Sequence, residues 1–160
     1  MNESKIRDLK PSDRAPIEKM LTDSGFFTLD EVKVALELFD TAIKNPAQTD
    51  YIFGVSESGD GKVLGYVCYG SSPMAEGTFD IYWICVDPQS KNLGIGKKLM
   101  AWAEKRIKDS KGRLIIVETS GRGQYDATRG FYLKQHYIEE ARIKDFYRPG
   151  DDRVIYTKHL

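Results

Sequence analysis

Gly94 and Gly96 stand one residue apart in VDPQSKNLGIGKKLM (residues 86–100), just after an apolar run that ends at Val86. A strand, a glycine-containing turn and an amphipathic helix make a place for an anion. The first backbone N–H groups of a helix have no partner within it, and the aligned peptide dipoles make that end electropositive. Glycine lets the chain take positive φ and lets a phosphate approach the backbone closely. Lys91, Lys97 and Lys98 bring side-chain charge to the same turn. On these residues alone the pattern reads either as a phosphate site or as a plain strand–helix turn with solvated lysines. Two well-known phosphate patterns do not fit. A Walker-type loop needs G-x-x-x-x-G-K-[ST], but Gly96–Lys97 is followed by Lys98 and lacks the upstream glycine. A dinucleotide fingerprint needs G-x-G-x-x-G, and Leu99 holds the place of the third glycine.

The elements around the glycines follow from hydrophobic period and punctuation. Residues 4–10 read as a short edge strand. Ser12 or Asp13 caps a first helix carrying Ile17, Met20 and Leu21, which Gly25 ends. Thr28 and Glu31 form a capping-box pattern, and Val32, Ala35, Leu36, Phe39 and Ile43 make one helical stripe that Pro46 stops. The period then changes to two. Runs 51–57, 62–70 and 78–86 read as an antiparallel meander. A helix from about residue 94 to 109 turns Ile95, Leu99, Trp102, Ala103 and Ile107 to one side. Run 113–120 reads as a strand buried on both faces, residues 125–134 as a short helix, and 137–147 with 152–159 as two closing strands around Arg148–Asp151. The order β-α-α-β-β-β-α-β-α-β-β gives an α/β fold: a mixed, mostly antiparallel sheet of six to seven strands with helices on both faces.

Two stretches now carry a family resemblance. ICVDPQSKNLGIGKKLM resembles the acetyl-CoA pyrophosphate loop of the GNAT N-acetyltransferases, Gln/Arg-x-x-Gly-x-Gly/Ala after a strand ending in Val-x-Pro, with Lys91 in place of Gln/Arg. YDATRGFYLKQHY (125–137) resembles the family's second motif, a helix ending in Phe-Tyr before a Gly-Phe turn, with His136–Tyr137 in place of Gly-Phe. The resemblance covers roughly residues 5–158 in element order, with its specific motifs in 80–137. It implies that strands 78–86 and 113–120 splay into a slot for the cofactor. Pantetheine would then bond the backbone of Ile84, Cys85 and Val86. The pyrophosphate would meet Lys91 and the N–H groups of Asn92, Leu93, Gly94, Ile95, Gly96 and Lys97. An amide near Ile84 or Cys85 would act as an oxyanion hole.

The same resemblance puts Tyr132 in the place of a general-acid tyrosine. With reference pKa values of about 10 for a phenol and about 8.5 for a thiol, full proton transfer to a departed thiolate is uphill in water, so Tyr132 is expected mainly to hydrogen-bond the developing charge. Glu118, at the end of the apolar run Leu114–Val117, is the candidate base, or else an end-of-strand salt bridge. Asp80 and Tyr82 share a strand face by alternation and are candidate acceptor contacts. Tyr125 and Thr128 share a helical face with Tyr132 and are candidate pantetheine contacts. Arg129 reads as a salt-bridge residue and the two tryptophans as core.

Composition bounds the rest. The chain has 160 residues, 41% of them hydrophobic and 30% charged, which suits one soluble domain over 1–160. Lys+Arg and Asp+Glu each number 24, so the zero net charge argues against a nucleic-acid binder that depends on bulk charge. Cys68 and Cys85 have no CxxC spacing and read as buried thiols, with no disulfide framework and no metal site. MNESKIRDLK shows no apolar signal segment and no run approaches the ~20 residues that cross a bilayer, so a cytoplasmic protein without a membrane partner is expected. The reading is an N-acetyltransferase with acetyl-CoA as co-substrate and a small-molecule or protein amine as acceptor. The competing class is a non-catalytic acyl-CoA-binding regulatory module; a nucleotide-phosphate binder is a third. RPGDDRVIY (148–156) could shape either the substrate mouth or a homodimer edge.

Overall fold

A computed structural model describes residues 3–160. Met1 and Asn2, part of the stretch read above for a signal segment, lie outside the described residues. Seven strands form one sheet in the order β1-β2-β3-β4-β5-β7-β6, with β1 Lys5–Arg7, β2 Ile52–Glu57, β3 Val63–Ser71, β4 Thr78–Val86, β5 Leu114–Ser120, β6 Ile138–Arg148 and β7 Asp151–His159. The helices are α1 Arg14–Asp23, α2 Leu29–Lys44, α3 Ile95–Asp109 and α4 Asp126–Lys134. β4 and β5 pair in parallel, joined through α3, as a parallel pair must be by a crossover; β1–β2, β2–β3, β5–β7 and β6–β7 are antiparallel.

By contacts the chain divides into two compact units: residues through Gly70 together with Trp83–Arg106, and Ser71–Tyr82 together with Ile107–Leu160. In the first unit, alternation along the strands sets the layers. Phe53, Val55, Tyr66 and Cys68 join Ile17, Leu21, Leu36 and Phe39 of α1 and α2 in one buried cluster. Their strand neighbours point the other way, toward α3. A Cβ on Gly54 would run into the Trp102 ring, and one on Gly65 would meet Ile95 and Leu99. Helices therefore cover both faces. Thr28 caps α2 as its spacing predicts: its hydroxyl accepts from Glu31 N at 3.2 Å, and its own N–H donates to the Glu31 carboxylate at 2.6 Å. Asp13 holds the N-cap position of α1 as expected but makes no side-chain cap bond. Asp13 is consumed by Arg7, which grips it at 2.8 and 2.9 Å, and by the Lys10 N–H; Pro11–Asp13 form a separate 3-10 turn.

In the second unit β5 lies between β4 and β7, with Phe79↔Ile115, Ile81↔Val117 and Val117↔Tyr156 in register. The face carrying Ile115, Val117 and Tyr156 is buried, and Tyr156 meets Tyr132 of α4 with ring centroids 5.8 Å apart. Leu114 and Ile116 on the opposite face are only half-buried, and Glu118 is exposed. The expectation of a strand buried on both faces is thus corrected to one covered face. On the covered face α4 sets Tyr132 against Tyr156, the register partner of Val117.

Candidate active site

The anion-binding elements belong to the first unit. Beyond its paired stretch with β5, which ends at Ile81↔Val117, β4 continues to Val86. There Cys85 is buried and Ile84 and Val86 are half-buried. The strand is stopped by Asp87–Pro88. The Asp87 carboxylate accepts from Gln89 N at 3.2 Å and pairs with Lys62 at 2.7 Å, which sets the 3-10 turn Pro88–Ser90. The next residues cross twice into the left-handed region, Asn92 at φ 64° and Gly94 at φ 75°. Nothing lies within 4 Å of the place where a Gly94 Cβ would sit, so glycine is needed there for the backbone conformation and not for clearance. The first bond of α3 runs from Lys98 N to Gly94 O at 3.0 Å. The amides of Ile95, Gly96 and Lys97 precede it and have no partner within the helix. Lys91, Asn92, Leu93, Gly94 and Lys97 are exposed. These open amides and flanking lysines fit a diphosphate.

Gly65 holds this assembly close. A Cβ there would lie 2.8 Å from the Cys85 carbonyl oxygen and 3.2 Å from both Ile95 and Leu99. β3, the end of β4 and the start of α3 therefore meet at one small residue. The α1–α2 connection reaches the same elements. The Lys91 ammonium sits 5.2 Å from the Phe26 ring centroid, and Phe27 packs edge-on against Trp83 at 5.1 Å. Sequence spacing could not pair Phe26 with Lys91, because the contact joins residues far apart in the chain.

The second unit carries the candidate proton-handling groups. Tyr132 is 4% exposed, its ring held by Phe131, Tyr137 and Tyr156 at 5.5–6.0 Å. Burial, with Tyr156 nearby, pushes its phenol well above the ordinary tyrosine range. The turn after α4 fixes it. Tyr137 N donates to Tyr132 O at 3.1 Å and His136 N to Leu133 O at 3.0 Å, while His136 takes φ 68°. This is the paired-bond helix ending usually built on glycine, here with histidine in the left-handed place and Tyr137 packed on Tyr132. Tyr125 precedes the helix in a 3-10 turn, and it and Thr128 are half-buried. Glu118 forms an ion pair with Arg153. Asp80 is half-buried and accepts from the Ser72 hydroxyl; Tyr82 is 36% exposed. Arg129 pairs with Asp126 and also donates to the carbonyls of Ser120 and Arg122 at 2.7 and 2.9 Å. Its role as a clamp on the β5–α4 connection was not readable from its spacing.

The environment of the two thiols disfavours the thiolate. Cys68 and Cys85 are free and buried. Burial raises both, and Cys85 is pushed up to about 12, so it is almost wholly protonated near neutrality. Among the described residues no cluster of three or more His, Cys, Asp or Glu is placed to hold a metal ion, and no helix is long and apolar enough to cross a membrane.

Comparison with known proteins gives the family and the fold. No curated protein matches the sequence. A crystal structure from Desulfovibrio desulfuricans, described as an acetyltransferase of the GNAT family, is 37% identical over 98% of this chain and 99% of that one, with a TM-score of 0.94. The ribosomal-protein-S18-alanine N-acetyltransferase of Escherichia coli shares the fold at 15% identity, covering 99% and 94% of the two chains, with a TM-score of 0.76. So does an acetyltransferase-like protein of Salmonella typhimurium solved with acetyl-CoA, at 16% identity, 99% and 94% coverage and a TM-score of 0.76. The profile of the acetyltransferase (GNAT) family matches residues 17–137, the span that runs from α1 through the phosphate-type turn to the end of the α4 motif, and the chain belongs to that family.

Proposed function

We propose that this chain transfers the acetyl group of acetyl-CoA to a primary amine by direct attack within a ternary complex. The observation that carries the reading is the turn from Val86 to Lys97, with two left-handed residues and three open helix amides placed directly after β4. In this reading the amides from Asn92 to Lys97 hold the pyrophosphate, with Lys91 and Lys97 adding charge. The backbone of Ile84, Cys85 and Val86 bonds pantetheine, and one of these amides receives the thioester oxygen as charge develops on it. Donors of that kind contribute about 10²–10³ in rate where measured.

The amine nitrogen attacks the carbonyl carbon and the carbon–sulfur bond breaks as the tetrahedral intermediate collapses. The ammonium proton leaves to Glu118 or through water. Glu118 already holds Arg153, so it takes that proton while sharing its carboxylate. The departing thiolate takes a hydrogen bond from Tyr132. Because burial raises that phenol, it is a persistent donor and a reluctant acid, and the thiolate gains its proton as solvent returns. Asp80 and Tyr82 line the acceptor side, and Tyr125 and Thr128 touch pantetheine. A cytoplasmic setting is part of this reading and goes with the two free thiols.

The test is a CoA-release screen across amine classes, with acetyl-CoA binding measured separately by calorimetry. Release with at least one class supports the proposal. Tight binding with no release from any amine would favour the non-catalytic module.

A further inference from the structure

The transferase reading leaves a charge arrangement of the second unit unused. Asp151, 2% exposed, accepts a hydrogen bond from the Ser120 hydroxyl. Its other oxygen faces Arg122 Nε at 3.2 Å and Arg148 Nε at 3.8 Å. One buried carboxylate serves two guanidiniums, which leaves one positive charge in excess. Nearby, Glu118 pairs with Arg153, and Arg142 is held by both Glu139 and Asp152, so the positive charge is local to the Arg122 and Arg148 forks and the wider cluster is balanced. Both arginines approach Asp151 through Nε, so a further partner would meet their terminal amino groups; the Arg122 guanidinium also lies 5.9 Å from the Tyr125 ring centroid. Their side chains are 37% and 55% exposed. The backbone under Arg122 is fixed by Arg129, which donates to the carbonyls of Ser120 and Arg122, and by Gly121 N bonding Asp152 O at 2.8 Å. Guanidinium forks held this way lose less freedom on binding than free surface arginines, and their planar geometry matches a carboxylate.

We propose that Arg122 and Arg148 hold a carboxylate carried by the amine acceptor, so that the preferred substrates are amines bearing an acidic group, such as peptides that begin with Asp or Glu, and not polycations. The proposal rests on the transferase reading. Ser120 lies two residues beyond Glu118 on β5, about 7 Å along the strand, a separation that suits a carboxylate a few bonds from the reacting amine.

The experiment uses the full chain and matched peptide acceptors that differ only in Asp against Asn at the first residue. CoA release is followed to separate KM from kcat. The Asp peptide is expected to show a KM about tenfold lower at similar kcat, as one charge-assisted contact allows. Arg148→Glu is expected to raise that KM at least about tenfold and to leave the Asn peptide within about twofold, with Arg148→Lys in between. Acetyl-CoA binding should stay at its wild-type value and the thermal transition should stay cooperative, at a lower midpoint in Arg148→Glu since a cation beside the buried Asp151 is lost, which separates recognition from misfolding. Equal use of both peptides by the wild type, or an equal loss on both in Arg148→Glu, would overturn the assignment while leaving the transferase reading intact. Release from neither peptide nor any other amine, with acetyl-CoA still bound, would overturn both.

Discussion

At the scale of single residues, Tyr132 and Cys85 show how burial sorts two weak acids into different roles. Both are held neutral by desolvation. A neutral phenol still donates a hydrogen bond, whereas a neutral thiol is a poor nucleophile. Tyr132→Phe keeps the ring and its packing and removes only the donor. The expected outcome is a fall in kcat of about 10²-fold with acetyl-CoA affinity unchanged, read by steady-state kinetics beside calorimetry. For Cys85, incubation with acetyl-CoA is expected to leave the intact mass of the protein unchanged. A stable acetyl adduct that disappears in Cys85→Ala would instead establish a covalent route. Tyr132 is placed by a motif and Glu118 by its position at the end of an apolar run; the end-of-strand salt bridge read as its alternative is present, but its partner, Arg153, was not legible. The pair forms only because β7 lies beside β5, with Ser120 opposite Arg153.

At the scale of elements, punctuation was legible wherever a local rule sets it. Thr28 with Glu31, the change of period at residue 51 and the stop at Asp87–Pro88 all act within a few residues. Asp13 caps α1 by position without a side-chain cap bond, because Arg7, on another element, offers its carboxylate two charged bonds, stronger than one cap bond. Two turns yield predictions. Gly94 sits at φ 75° in open space, so Gly94→Ala meets no clash but carries a left-handed penalty of about 1–2 kcal/mol. The substitution is expected to weaken acetyl-CoA binding about tenfold, with Gly94→Asn milder since asparagine tolerates that region. At the end of α4 the logic reverses. His136 holds a left-handed place that glycine fills without a Cβ penalty, so His136→Gly is expected to stabilise by about 0.5–1 kcal/mol, raising the thermal midpoint by ~2–4 °C. A lower midpoint would mean that the imidazole makes a contact worth more than the strain.

At the scale of the whole chain, element order and sheet class were readable because strands and helices alternate cleanly and each carries its own period. The division into two compact units was not, because its boundaries fall inside continuous elements: between Gly70 and Ser71 in β3, between Tyr82 and Trp83 in β4, and between Arg106 and Ile107 in α3. No composition shift marks any of these places. What the units share is a set of weak acids kept neutral by burial, Tyr66, Cys68 and Cys85 in the first and Tyr132 in the second. In the unfolded chain thiols ionise near 8.5 and phenols near 10, while in the folded chain each group keeps its proton to higher pH. Above those values the native state binds more protons than the unfolded state, so stability falls as pH rises. The contribution is complete below about pH 8 and is lost first through the cysteines, which for Cys85 continues until about 12, and then through the tyrosines. Urea midpoints at pH 7.5, 9 and 10.5, values chosen to bracket the reference thiol and phenol pKa values of about 8.5 and 10, should therefore decline, and more steeply in the upper interval. Cys68→Ala with Cys85→Ala should nearly abolish the decline in the lower interval and reduce it in the upper one to the part due to the tyrosines. A lower interval that stays equally steep without the cysteines would assign the loss to other groups.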